Sequence, residues 1–152
     1  MQTHYTVSNL IDAKDVKQLC LIGSFPTESS VVNGYTLYLF CREEKVLLPI
    51  DINELTSSTL INLCPDIYNT LNNFVHFFHA RFEKILISHK NADNYYAYVR
   101  LKKAGTVYDF LFPIEDAVCL AVKLNLDMYI ATELLYQEGI KITKELLVSY
   151  LR

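Results

Sequence analysis

Two adjacent acidic residues, Glu115 and Asp116, stand directly before an apolar run in the stretch PIEDAVCLAV. A third acid, Asp109, lies upstream, at the end of a predicted strand. Carboxylates that converge from a strand end and a helix start can hold Mg²⁺ or Mn²⁺, which activates water and neutralises charge on a phosphate. Acids at a helix start also satisfy backbone N–H groups and meet the positive end of the helix dipole. A metal-assisted phosphodiesterase site and simple helix capping are therefore alternative predictions for this stretch.

An aromatic and basic surface is predicted on the preceding strand. If the AG pair forms a two-residue turn, Arg100 lies directly opposite Asp109. Strand alternation then puts four side chains on the face opposite the apolar core residues, namely Tyr96, Tyr98, Arg100 and Lys102. Such a face can stack bases and pair with phosphates. It can equally be an exposed strand face that an Arg100–Asp109 pair stabilises.

The charge distribution favours a polyanionic partner for the same region. The whole chain has a formal net charge of -3, which argues against general attraction to nucleic acid. Residues 81–103, however, hold six lysines or arginines against two acids, a local charge of +4. DNA or RNA is the predicted partner of this segment. The alternative is a hairpin whose cations only face solvent.

Two histidines form a weaker candidate metal site. His76 and His79 are three residues apart on a predicted helix, and Glu83 follows four residues later. Glu83 falls beyond the predicted helix end, and no third ligand has the spacing of a zinc motif. Because phenylalanines are interleaved with the histidines, we expect one imidazole to be partly packed and the other to be exposed.

Composition predicts a globular protein with a substantial core. The chain has 152 residues, of which 51% are hydrophobic, and a chain of this size buries roughly 70% of its surface on folding. Its four cysteines include no CxxC pair and lie among apolar residues, so we expect reduced core thiols. The N-terminus lacks the features of a signal peptide, and no window has the roughly 18 apolar residues of a membrane span. A cytoplasmic protein without a membrane segment is therefore predicted.

Hydrophobic periodicity divides the chain into strands and helices. Strands are predicted at 16–25, 35–42, 46–52, 83–90, 94–103, 106–113 and 127–130. Helices are predicted at 52–63, 65–82, 114–124, 131–139 and 142–152, and a loop at 26–34. Hairpins dominate, and no linker or repeat divides the chain. We therefore predict a single α+β domain over residues 1–152, with a mixed or largely antiparallel sheet packed against several helices.

The order of several segments resembles a known family, the bifunctional nuclease domain of bacteria and plants. Four segments follow one another in the family's order and spacing: Ile85–Ile87, Tyr95–Ala97, Asp116–Ala121 and Glu133–Ile140. Upstream, Leu48–Ile50 matches the family's LPI strand. The resemblance covers about residues 18–140, with the predicted helix at 142–152 as an extension.

The resemblance implies an α+β fold, a dimeric state and cleavage of both DNA and RNA. It places Asp116 at the Asp of the family's RPSDA turn, but the Arg of that turn is missing and Glu115 stands for the Ser. Tyr68 and Asn69 fall where relatives often carry a His-Asp pair, and INELTSS replaces a turn of the IGPFEA type. Because the apolar positions are retained while these polar ones differ, the fold is predicted more firmly than the activity.

Two functional hypotheses follow from the residues and the resemblance together. In the first, the protein binds nucleic acid and hydrolyses phosphodiesters. Asp109, Glu115 and Asp116 are then the catalytic residues, Asp109 and Asp116 hold Mg²⁺ or Mn²⁺, and Arg100 and Lys102 hold phosphates. In the second, a non-catalytic homodimeric interaction module has kept the fold and lost nuclease activity. Its tyrosine-bearing faces and C-terminal helix would then bury against a second copy or another protein.

Overall fold

Strands contribute more residues than helices to the described part of the chain. The structure is a computed structural model that describes residues 5–6, 15–27, 34–60 and 67–150. The strands within these ranges are β1 (Tyr5–Thr6), β2 (Val16–Pro26), β3 (Tyr35–Cys41), β4 (Val46–Ile52), β5 (Ala80–Asn91), β6 (Asn94–Lys103), β7 (Thr106–Pro113), β8 (Asp127–Ala131) and β9 (Ile140–Lys141). The helices are α1 (Glu54–Leu60), α2 (Ile67–Phe77), α3 (Ile114–Leu124), α4 (Thr132–Glu138) and α5 (Lys144–Tyr150).

These strands form one sheet in the order β1-β7-β6-β5-β8-β2-β3-β4-β9. Neighbouring strands are antiparallel except β5 and β8, which are parallel. Strand β2 pairs with β8 through its first half and with β3 through its second half, so it joins the two parts of the sheet. The predicted α+β class with a mixed, largely antiparallel sheet is confirmed. The two-residue strands β1 and β9 were not predicted.

The β6–β7 hairpin has the predicted register. Ala104 and Gly105 form its two-residue turn, with φ values of 50° and 81°. Positive φ at both positions is what a tight hairpin turn of this kind requires. Arg100 therefore pairs directly with Asp109, as predicted.

Helix α3 covers one face of this sheet, which we call the helix face. Ala117 and Ala121 are almost fully buried, and small side chains at these positions let the helix approach the strands closely. The apolar side of α3 packs in one core cluster with Ala97 and Val99 of β6. The alternate residues of β6 lie on the other face, which we call the opposite face; they are Tyr96, Tyr98, Arg100 and Lys102.

Helix α2 is shorter than predicted. Periodicity predicts a helix to residue 82, but α2 ends at Phe77 and β5 begins at Ala80. The N–H of His79 donates to the carbonyl oxygen of His76 at 2.9 Å, and His79 has a left-handed φ of 59°, which ends the helix. The hydrophobic pattern of the residues just after this turn fits a helix or a strand equally well. They form a strand because they pair with β6. Both imidazoles are exposed, so the predicted packing of one of them is wrong.

The cysteines largely occupy the predicted environment. Cys41 and Cys119 are buried as free thiols, whereas Cys20 is only half-buried. Cys64 lies outside the described residues, as do parts of the predicted loop at 26–34 and of the predicted helices at 52–63 and 65–82. No helix in the described ranges combines the length and apolar character of a membrane span.

Candidate functional site

A set of polar side chains lies where α1 and α2 meet the start of α3. We call it the polar cluster, and its members are Asn53, Thr56, Tyr68, Glu115 and Asp116. Glu115 and Asp116 occupy the first turn of α3, where the helix dipole favours negative charge. Pro113 is the N-cap residue, and no side chain caps the helix. The predicted capping hydrogen bonds are therefore not formed, and the two carboxylates bond to side chains from other helical regions instead.

Glu115 links the start of α1 to α3. Its Oε2 atom accepts hydrogen bonds from Asn53 Nδ2 at 2.6 Å and from Thr56 Oγ1 at 2.5 Å. Asn53 also caps α1, because its Oδ1 atom accepts the backbone N–H of Thr56 at 2.7 Å. Thr56 is only 6% exposed, so its hydroxyl uses the carboxylate as its acceptor in place of water. The hydrogen bonds from Glu115 to the start of α1 therefore give this acid a structural role.

Asp116 links α3 to α2 and is the more exposed of the two acids. Its Oδ1 atom accepts a hydrogen bond from the Tyr68 hydroxyl at 3.0 Å. The same hydroxyl interacts with the thiol of Cys119. Burial is the main cause that raises the pKa of Tyr68 above its ordinary value and the pKa of Cys119 to about 11. Both groups therefore keep their protons at neutral pH, and Tyr68 acts as a donor to Asp116.

Alkaline pH is expected to destabilise the protein through Cys119. Burial raises the pKa of this thiol from 9.0 to about 11, so the folded state binds the proton more tightly than the unfolded state. The stabilisation is complete below pH 9.0 and is lost as the pH rises to about 11, a change of about 2 kcal/mol. Urea unfolding across this interval measures the loss. Cys119→Ala should remove this part of the pH dependence and Cys20→Ala should keep it; an unchanged slope in Cys119→Ala would refute the assignment.

Asp109 lies apart from the other two predicted catalytic residues. It occurs within β7 rather than at the end of the strand, and its side chain is on the opposite face from α3. Its carboxylate is 0% exposed. The structure therefore does not bring Asp109 together with Glu115 and Asp116 around one cation. Among the described residues, no group of three or more His, Cys, Asp or Glu side chains is arranged to hold a metal ion.

Arg100 is buried against Asp109 rather than exposed on the surface. Arg100 Nε donates to Asp109 Oδ1 at 2.9 Å, and Arg100 Nη2 donates to Asp109 Oδ2 at 3.2 Å. The side chains of Arg100 and Asp109 are 3% and 0% exposed, and their strands are interior ones, with β5 beside β6 and β1 beside β7. This bidentate geometry uses the guanidinium edge that would bind a phosphate. The structure does not favour the predicted phosphate contact by Arg100. It contains the alternative, a cross-strand pair of Arg100 with Asp109.

The three other predicted nucleic-acid-binding residues remain partly accessible. Tyr96, Tyr98 and Lys102 are half-buried on the opposite face. Tyr96 stacks on His89 of β5, with ring centroids 5.3 Å apart and planes inclined by 16°. Lys102 lines a surface cleft with Arg81 at the end of the sheet. Contact of these residues with nucleic acid stays a prediction.

The architecture and the acidic start of α3 define an α+β domain with a carboxylate-containing site. The sequence model of the bifunctional nuclease domain matches residues 39–143, which is more than half of the chain. The chain therefore belongs to the bifunctional nuclease domain family, and the resemblance is confirmed. The match begins within β3 rather than at residue 18, so β2 lies outside it. A search of curated proteins found no match.

The segments for which the resemblance implies a departure from the family pattern meet in the polar cluster. Thr56 lies in the INELTSS segment, and by the resemblance Tyr68 would stand at the position of a family His and Glu115 at that of the Ser in the RPSDA turn. The carboxylates of Glu115 and Asp116 bond to partners between 48 and 62 residues away in the chain. Sequence reasoning missed these partners as site residues because of that separation. The departures from the family pattern that the resemblance implies were the signal that could have grouped these residues into one site.

Proposed function

We propose that the protein binds nucleic acid and that its polar cluster does not carry out metal-assisted cleavage. Membership of the bifunctional nuclease domain family is the observation that carries the proposal of binding. The matched residues include the basic segment 81–103, whose formal charge is +4 in a chain of net charge -3; of its six cations, Arg100 is paired with Asp109 and Lys90 with Glu138. Phosphate neutralisation by lysine and arginine supplies most of the affinity of sequence-independent nucleic-acid binding.

The divalent metal that the predicted hydrolysis requires does not fit the polar cluster. Mg²⁺ and Mn²⁺ prefer carboxylate oxygens, and Glu115 and Asp116 are the two carboxylates of the cluster. Adjacent residues on a helix do not face each other, however, and these two bond to partners in different parts of the chain. Asp109, the other predicted ligand, is held in an ion pair on the far side of the sheet. We therefore assign no hydrolytic step to these residues.

A homodimeric interaction module is the second candidate, and exposed apolar residues on α2 favour it. Ile67, Phe74 and Phe77 are 71%, 62% and 78% exposed. Exposed apolar patches of this kind mark interaction surfaces. In that function, α2 would provide the contact surface together with the C-terminal helix α5, whose Val148 is also exposed.

A binding and cleavage assay distinguishes these two functions. The purified protein is incubated with labelled single-stranded DNA or RNA in Mg²⁺, Mn²⁺ or EDTA. We expect the oligonucleotide to be bound under all three conditions and to stay intact. Binding should weaken as salt is raised, because phosphate contacts release counterions. Gel analysis of the same mixtures reports cleavage and binding together.

Two results would contradict the proposal. Metal-dependent cleavage that disappears in Asp116→Asn but persists in Asp93→Asn would show that the polar cluster is catalytic. Asp93 is the matched control because it is an exposed acid in the β5–β6 turn, outside the cluster. Failure of the wild-type protein to bind either oligonucleotide, together with a dimer on size-exclusion chromatography, would favour the interaction module.

A further inference from the structure

An open cleft lies at the C-terminal end of α2. It encloses about 470 Å³ and is lined by His76, His79, Ala80, Arg81, Lys102, Ala104 and Gly105. The polar side chains of this lining are two imidazoles, a guanidinium and an ammonium group. None of the lining residues is acidic. The chemistry of the cleft therefore suits an anion.

The backbone concentrates these polar groups in one place. His76 and His79, at the end of α2 and in the turn after it, are exposed and line the cleft. In the next strand, Arg81 pairs directly across the β5–β6 ladder with Lys102. Like charges directly opposite each other in a sheet are unfavourable. Glu83 offsets Arg81 only weakly, since the closest approach of their charged atoms is 3.9 Å and the arginine side chain is 62% exposed.

Three aromatic residues are close in sequence to the two histidines of the cleft. Phe74, Phe77 and Phe78, which we call the aromatic platform, are 62%, 78% and 48% exposed. Phe78 contacts the other two rings edge to face, with centroids 5.1 Å from Phe74 and 5.3 Å from Phe77. The platform and the cleft are continuous along the chain, because His76 and His79 flank Phe77 and Phe78.

We infer that the platform and the cleft together bind a single strand of nucleic acid, with bases stacked on the phenyl rings and phosphates held by the cations. This inference rests on the proposed nucleic-acid binding and assigns it a site. Aromatic rings next to a cationic groove are the combination that single-stranded nucleic acid requires, since paired bases present no free ring face.

Charge complementarity distinguishes this occupant from a second copy of the chain. A twofold dimer brings a surface patch against the same patch of its partner. A dimer through the platform would therefore bring the cations of the two clefts towards each other. A nucleic-acid strand neutralises them instead.

Fluorescence anisotropy with a labelled single strand, and with a duplex of the same sequence, tests the inference. We expect the wild-type protein to prefer the single strand. Phe77→Ala should weaken single-strand binding by about 5- to 150-fold, the value of one stacked base. Arg81→Ala should reduce the slope of log affinity against log salt by about 0.7. Lys141→Ala, which removes an exposed cation from the edge strand β9, five strands away from β5, should match the wild type.

The alternative outcomes separate the inference from the proposed function. If the wild type binds and both Phe77→Ala and Arg81→Ala bind equally well, this site is wrong while nucleic-acid binding stands. If the wild type binds neither probe, both proposals fail. If the wild type elutes as a dimer that Phe77→Ala converts to a monomer, a second copy covers the platform and the inference is overturned.

Discussion

Replacing Arg100 with alanine is expected to lower the free energy of unfolding by about 3–5 kcal/mol. The substitution removes both hydrogen bonds to the Asp109 carboxylate, which is 0% exposed. The buried carboxylate of Asp109 would then lack its charged partner and could not be solvated by water in its place. Urea unfolding at neutral pH measures the loss. Lys102→Ala provides the control, because Lys102 is a half-buried cation on the same face of the same strand, and we expect a change of about 0.5 kcal/mol or less there.

The double variant Arg100→Met with Asp109→Leu tests the cause of this loss. Apolar side chains of similar volume remove both charges at once, and buried ion pairs replaced in this way often lose little stability or gain some. We expect the double variant to recover most of the stability that Arg100→Ala loses. A double variant as unstable as the single one, or a single variant within about 1 kcal/mol of the wild type, would mean that the pair is not an enclosed ion pair.

The Arg100–Asp109 pair shows what the sequence could predict and what it could not. The register followed from local rules, because a two-residue turn and strand alternation place these residues opposite each other. Their burial did not follow. Nor did the pairing of β7 with β1, a two-residue strand about a hundred residues away in the chain, which places Thr6 beside Asp109 in the ladder. No local pattern predicts so short a strand or its partner.

In helix α2, likewise, the local sequence predicted the helix but not which of its residues are buried. The spacing of Ile67, Leu71 and Phe74 correctly predicted that a helix forms, although not where it ends. A stripe of this kind normally marks the buried side of a helix. In the structure only Leu71 of these three packs against the core, whereas Ile67 and Phe74 are exposed. The spacing of apolar residues defines a helix face, but the neighbours that cover that face come from elsewhere in the chain.

The sequence predicted the two acids of the candidate site but not the residues that form hydrogen bonds with them. The sequence placed Glu115 and Asp116 at the start of α3, and this position is correct. It also grouped them with Asp109, which is near in sequence but lies on the other face of the sheet. Their actual partners include Thr56 and Tyr68, which come from α1 and α2. Proximity in sequence was therefore a poor guide to which polar groups meet.

Glu115→Ala is expected to cost about 2–3 kcal/mol of stability, and Asp116→Ala at the next position about 1 kcal/mol or less. Both substitutions remove a negative charge from the first turn of α3, so the dipole contribution is lost equally. They differ in their hydrogen bonds. Glu115 accepts two short ones, one of them from the buried hydroxyl of Thr56, whereas the exposed Asp116 accepts one from Tyr68 at 3.0 Å.

Urea unfolding of the two variants measures this difference, and Thr56→Val identifies its source. If the Thr56 hydroxyl accounts for much of the cost of Glu115→Ala, the double variant Glu115→Ala with Thr56→Val should lose less than the sum of the two single losses. Equal costs for the two acids would contradict the structural role of Glu115. The expected asymmetry also makes Asp116 the right position for the cleavage assay. A variant that stays folded reports on chemistry, whereas a change at Glu115 would confound chemistry with the loss of the contact between α1 and α3.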